Sequence, residues 1–239
     1  MFNQTINGTQ SNDVQGYVAK NFLANVFSWM GIALAMTAFT AYYFASDQTL
    51  ISLLYNAQGG MTTLGMIVLF APLALVLLMG FGMNKMSYLS LVVVFAIFSI
   101  LMGMSLSFVL LVYTSASVFK TFLVTSLLFG VMAILGYTTK TDLTKFGSLL
   151  LMALIGIIIA AVVNFFMHSA SLDYFISFFG VLIFTGLTAY DVQKLKRIGS
   201  GAEYQGASLS KLTVLGALSL YLDFINLFLF LLRFMGGRK

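Results

Sequence analysis

Ser219-Leu-Tyr-Leu-Asp-Phe-Ile-Asn-Leu-Phe-Leu-Phe-Leu-Leu-Arg233 places a carboxylate, Asp223, inside an otherwise apolar run. A charge near the middle of a membrane helix costs about 2.5–3.5 kcal/mol on insertion scales, so such a residue faces a protein interior and has a partner or a task. Helical spacing supplies its company. Ser219, Asp223 and Asn226 recur at i, i+4 and i+7, one polar stripe on a greasy helix. That stripe is expected to face inward, near a pore if the protein conducts.

The rest of the chain fits a helix of this kind. Of its 239 residues, 60% are hydrophobic and 8% charged, with a mean hydropathy of +1.01. A soluble domain carries about a quarter charged residues, so this is a polytopic membrane protein. The absence of cysteine excludes disulfides, thiol catalysis and cysteine metal sites. One histidine, His168, cannot build a zinc site and reads as interfacial. The excess of basic residues does not point to nucleic acid, because the twelve Lys and Arg are scattered at segment ends.

A bilayer demands roughly 20 apolar residues per helix. Seven stretches qualify: Asn21–Ala45, Thr62–Gly80, Ser87–Tyr113, Ser117–Tyr137, Thr144–His168, Leu172–Leu195 and Leu209–Arg233. The connections are polar, marked by Gly59-Gly60, Asn84-Lys85, Thr138–Thr141 and the longest, Lys196–Ser208. Residues 1–20 read as a polar cytoplasmic tail without signal-peptide features, and 21–239 as one transmembrane domain.

Lys20, Lys85, Lys140, Lys145, Lys194, Lys196, Arg197 and Lys211 fall on the N-terminal side, against Lys120 in the opposite loops. The positive-inside rule therefore puts the N-terminus in the cytoplasm. A seventh crossing sends Arg233, Arg238 and Lys239 outside, against that rule. Leu209–Arg233 is nonetheless long enough to span, and a full crossing is expected rather than a re-entrant segment. Seven helices divide into two inverted three-helix layers and one more, an arrangement that transporters build around a midplane site. The seventh helix, with Asp223, would be central. Pro72, the single proline, lies inside the second span and reads as a kink whose freed carbonyl a neighbouring helix satisfies.

A second carboxylate, Asp191, closes the sixth span in Thr185-Gly-Leu-Thr-Ala-Tyr-Asp-Val-Gln-Lys194. It reads either as a surface pair with Lys194 at i+3 or as the partner of Asp223. Two carboxyls within about 4–6 Å in a low-dielectric bundle titrate as a coupled unit around one proton, which makes a pH switch. Depth argues against the pairing. Asp191 is four residues before Leu195, about 6 Å in, whereas Asp223 is fourteen after Leu209, about 21 Å in. The two meet only if the seventh helix starts outside the bilayer or if Lys194 and Lys196 snorkel from a deeper Asp191.

Gly136-Tyr-Thr-Thr-Lys-Thr-Asp-Leu-Thr144, Asn164, Gly186-Leu-Thr-Ala-Tyr-Asp-Val-Gln-Lys194 and Leu218-Ser-Leu-Tyr-Leu-Asp-Phe-Ile-Asn-Leu-Phe228 resemble the bacterial, YccA-like branch of the Bax inhibitor-1 family. The resemblance covers essentially the whole chain. It implies an all-α integral membrane protein of the bacterial inner membrane, its last helix central and wrapped by two three-helix layers. It also implies a pH-sensitive calcium leak. The family's paired aspartates, at the cytoplasmic end of the pore, match Asp191 and Asp223. Some members latch the closed pore with an arginine in the second helix, but Thr62–Gly80 here has no charged residue.

Calcium takes six to eight oxygen ligands, so Asp191 and Asp223 with Asn226, Ser219 and water would offer only a weak, transient site of the sort conduction requires. Calcium is then the permeant ion and no cofactor is expected. One alternative is a non-conducting regulator that binds another membrane protein, such as an ATP-dependent membrane protease. A remoter one is an intramembrane aspartyl protease of the presenilin-like layout. That chemistry needs Gly-x-Gly-Asp, where this chain has the bulky Leu220-Tyr-Leu-Asp223, so no enzyme is expected.

Overall fold

A computed structural model of the chain describes residues 2–56, 60–201 and 208–239, with side chains from residue 18 onward. The described residues form eight helices: α1 (Phe2–Ser46), α2 (Gln48–Leu54), α3 (Thr63–Gly82), α4 (Tyr88–Val112), α5 (Ser115–Thr138), α6 (Thr144–Met167), α7 (Ala170–Gly199) and α8 (Leu209–Met235). Seven are long and apolar enough to cross a bilayer, the first of these spans being Val18–Ser46. The backbone of the expected N-terminal tail is helical from Phe2, and the side chains of its first seventeen residues lie outside the described ones.

The short helix α2 was not expected. Asp47 caps it, its carboxylate accepting from the amides of Thr49 and Leu50 at 2.7 and 3.3 Å; these bonds hold its pKa below the ordinary value. The sixth expected span, Leu172–Leu195, is shorter at both ends than α7, which begins at Ala170 and continues to Gly199 where a loop from Lys196 was expected. Residues 202–207 of that connection and residues 57–59, including Gly59, lie outside the described ones.

Within each triplet of spans the third helix lies between the other two. α4 packs on α1 and α3, and α7 packs on α5 and α6. The two triplets run in opposite senses through the bundle, as expected of inverted layers. α8 fills the middle against α1, α4, α5 and α7, with a lighter contact to α3. It is the most enclosed span, with 67% of its apolar window buried. α6 is the opposite case: it packs on α7 and has Gly147 as its one buried residue among those described.

Small residues set the closest approaches, as packing in lipid requires. A Cβ at Gly136 of α5 would lie 2.8 Å from the Cα of Ala189 in α7. One at Gly103 of α4 would lie 2.6 Å from the Thr37 carbonyl oxygen of α1.

α8 crosses the whole bundle. At its start Lys211 Nζ donates to the carbonyl of Met83 beyond α3, at 3.4 Å. Past its end the Thr114 amide donates to Gly237 O at 3.1 Å and the Lys239 amide to Val112 O at 2.9 Å, tying the segment to the α4–α5 connection. α8 thus runs from the α3–α4 connection to the α4–α5 connection, the full length expected of a crossing rather than of a re-entrant segment. The three basic residues beyond α8's core are engaged locally: Arg233 pairs with Asp173 at 3.3 Å, Arg238 lies over the Tyr113 ring, and Lys239 Nζ donates to Leu110 O.

Candidate functional site

The stripe on α8 turns inward as its spacing required. Asp223 is 5% exposed, and Ser219 and Asn226 are half-buried. Ser219 Oγ donates a short hydrogen bond to Asp191 Oδ2 on α7. Asp223 faces Asp191, with the two carboxyls within hydrogen-bonding reach of each other. The objection from depth weakens because α7 runs on: Asp191 lies eight residues before Gly199, level with Ser219 ten after Leu209, and Asp223 stands one turn beyond Ser219. The reason is the amphipathic last turn of α7, whose Lys196 and Arg197 reach out from helical positions rather than from a loop.

Among the described residues, no carboxylate lies within ion-pairing distance of Lys194. The surface pair Asp191–Lys194 is therefore not formed, and Asp191 instead takes Ser219 and Asp223 as neighbours. Asp223 Oδ2 is fully buried and has no hydrogen-bond partner among the described residues. An ionised buried oxygen left so is costly, and a carboxyl group opposite can satisfy it only through a proton held between the two. Asn226 behaves otherwise: its amide donates to Leu222 O of its own helix at 2.8 Å, and no described contact joins it to the carboxyls.

A cleft of about 240 Å³ between α3, α7 and α8 leads to this pair. Gly80 and Met83 form one wall, Lys194 and Ile198 another, and Asp191 and Ser219 lie in its lining. Asp223 is not in the lining and stands behind Asp191. The cleft is on the side of the bundle where α3 and α7 end and α8 begins. Among the described residues, no three His, Cys, Asp or Glu side chains cluster.

The opposite face of α8 is anchored by a buried hydroxyl chain that sequence reading missed. Thr37 Oγ1 of α1 donates to Ser99 O of α4 at 2.9 Å. Its single hydrogen being used there, it accepts from the Tyr221 hydroxyl at 2.8 Å. The Tyr221 side chain is fully buried, and its ring meets Phe98 edge-on, with centroids 5.2 Å apart. Tyr221 stands two residues from both Ser219 and Asp223, so this bond fixes the rotation of α8 that aims both at α7. A tyrosine in a membrane core needs a partner for its hydroxyl, which was the available signal.

α7 is held by the α5–α6 connection. Gln193 Nε2 donates to Thr141 O at 2.7 Å and Gln193 Oε1 accepts from the Leu143 amide at 2.8 Å. Lys196 donates to Tyr137 O at the carboxyl end of α5, and Arg197 pairs with Asp142 at 2.9 Å. Bonds from Thr144, then Arg197, pull the Asp142 carboxyl down to about 2. The motif Gly136–Thr144 is thus a clasp on the helix that carries Asp191. Asn164 has a local task, its Oδ1 accepting from the Ser169 amide at the α6–α7 turn. His168 caps α6 in the left-handed region, φ 51°, and is exposed, as expected of an interfacial histidine.

The family model described as "Inhibitor of apoptosis-promoting Bax1" matches residues 19–239. The chain is 44% identical to the inner membrane protein YbhL of Escherichia coli, covering 92% of this chain and 93% of that one. It is also 42% identical to an uncharacterized protein of Caulobacter vibrioides, over 92% and 90% of the two chains, and 37% identical to an uncharacterized protein of Rickettsia prowazekii, over 100% and 98%. With a seven-span bundle and a match over nearly its whole length, the chain belongs to the Bax inhibitor-1 family.

Proposed function

We propose that the protein is a pH-sensitive cation leak of the bacterial inner membrane, calcium being its principal ion, with Asp191 and Asp223 as the sensing pair. The N-terminus is cytoplasmic in this reading, so the cleft opens to the cytoplasm. The observation that carries it is the buried Asp223 oxygen without a donor, facing the carboxyl of Asp191 at the end of a polar cleft. A carboxyl pair of this kind exchanges a proton against a cation: with the proton gone, two anionic groups attract a divalent ion, and with it present they hold each other. Ser219 orients Asp191, and the Tyr221–Thr37–Ser99 chain holds α8 in register. Bulky Leu220 and Tyr221, both fully buried beside Asp223, stand where aspartyl-protease chemistry needs glycine, which supports a non-enzymatic role. The test is calcium flux through liposomes holding the purified protein, measured across pH. Flux that follows pH supports the leak; protein-free rates at every pH overturn it.

A further inference from the structure

Two charged side chains line the cleft, Asp191 and Lys194. They stand at i and i+3 on α7, so Lys194 is one turn nearer the end of the helix, about 4.5 Å along its axis. Three other basic groups of this region are tied down: Lys196 to Tyr137 O, Arg197 to Asp142 and Lys211 to Met83 O. Lys194 is exposed and, among the described residues, has no hydrogen bond or ion pair that would hold its ammonium away from the opening. A cation moving from the mouth to Asp191 passes this ammonium first.

We infer that Lys194 tempers the leak's preference for calcium, a fixed positive charge on the approach to Asp191 that discriminates against divalent relative to monovalent cations. The inference rests on the leak reading. The physics is the charge product: at any distance and dielectric, repulsion of a divalent ion is twice that of a monovalent one. In a narrow cleft with low-dielectric walls that difference is focused rather than screened. Lys194 therefore limits calcium entry, and the carboxyls behind it compensate only for ions that have passed.

The experiment uses the full chain in liposomes and measures calcium and potassium flux for wild type, Lys194→Gln, Lys194→Glu and Lys194→Arg. Lys194→Gln should raise the calcium-to-potassium ratio roughly three- to ten-fold, Lys194→Glu should raise it further, and Lys194→Arg should leave it as in wild type. Lys196→Gln, which removes an equal charge outside the lining, should not change the ratio. If wild type leaks and all four variants keep its ratio, Lys194 has no such role while the leak stands. If wild type does not leak at any pH, the leak reading fails and the inference falls with it, an outcome distinct from a leak whose ratio Lys194 does not set.

Discussion

Ser105 of α4 donates its hydroxyl hydrogen to the carbonyl of Val68 in α3, at 2.9 Å. Val68 is the residue whose helical partner would be the amide that Pro72 lacks. The kink residue expected to be made good by a neighbouring helix is therefore made good by this one hydroxyl. Ser105→Ala should orphan the carbonyl in an apolar setting and cost about 1–3 kcal/mol, read as a lower unfolding temperature in detergent. Adding Pro72→Ala restores the amide donor and should recover most of the loss. Additive effects in that double-mutant cycle would show that Ser105 does not serve Val68.

Asp191→Asn and Asp223→Asn should each shift or flatten the pH dependence of calcium flux, and the double variant should add little, because residues acting as one unit are not additive. Flux is compared across pH for the four proteins. Independent, additive shifts, or wild-type behaviour in Asp191→Asn, would rule out a coupled pair.

The clasp on α7 should be insensitive to pH in the range where the leak responds. Asp142 has its pKa lowered from 3.8 to about 2, so its contribution to stability is complete above 3.8 and lost as pH falls through about 2. Asp142→Asn should lower the unfolding temperature by the same amount at any pH from about 5 to 8. A loss that grows or fades within that window would contradict the assignment.

Gly136→Ala should cost about 1–3 kcal/mol, because the new methyl group would meet backbone of Ala189, Cα at 2.8 Å and carbonyl carbon at 2.9 Å. Gly130→Ala, on the same helix with nothing within 4 Å of its Cβ position, should be neutral or mildly stabilising. Equal unfolding temperatures for the two variants would remove the close α5–α7 approach from the account.

Hydropathy made the seven spans legible, and the polar stripe showed which face of α8 turns inward, because both signals are local and repeat with the helix. The carboxyl pairing was harder. Lys196 and Arg197 read as loop charges although they extend α7 by a turn, and that error placed Asp191 too near the surface. The Thr37–Ser99–Tyr221 chain joins residues 62 and 184 positions apart; no periodicity connects such distant hydroxyls. Lys194 was legible only as a possible partner of Asp191, since its position on the cleft depends on how α3 and α8 close around α7. The short helix α2 escaped notice because its seven residues are too few for a hydrophobic period to emerge.

The bonds between Gly236–Lys239 and the α4–α5 connection change the mechanics of the central helix. The amide of Lys239 on the carbonyl of Val112 closes α5, α6, α7 and α8 into a non-covalent ring, so that α8 is a rod clamped at both ends and not a cantilever free to fray. Rotation of α8 about its long axis, the motion that would swing Asp223 away from Asp191, must twist against the clamp. Removing these last residues should therefore loosen the carboxyl pair from the far side of the bundle, through torsion alone.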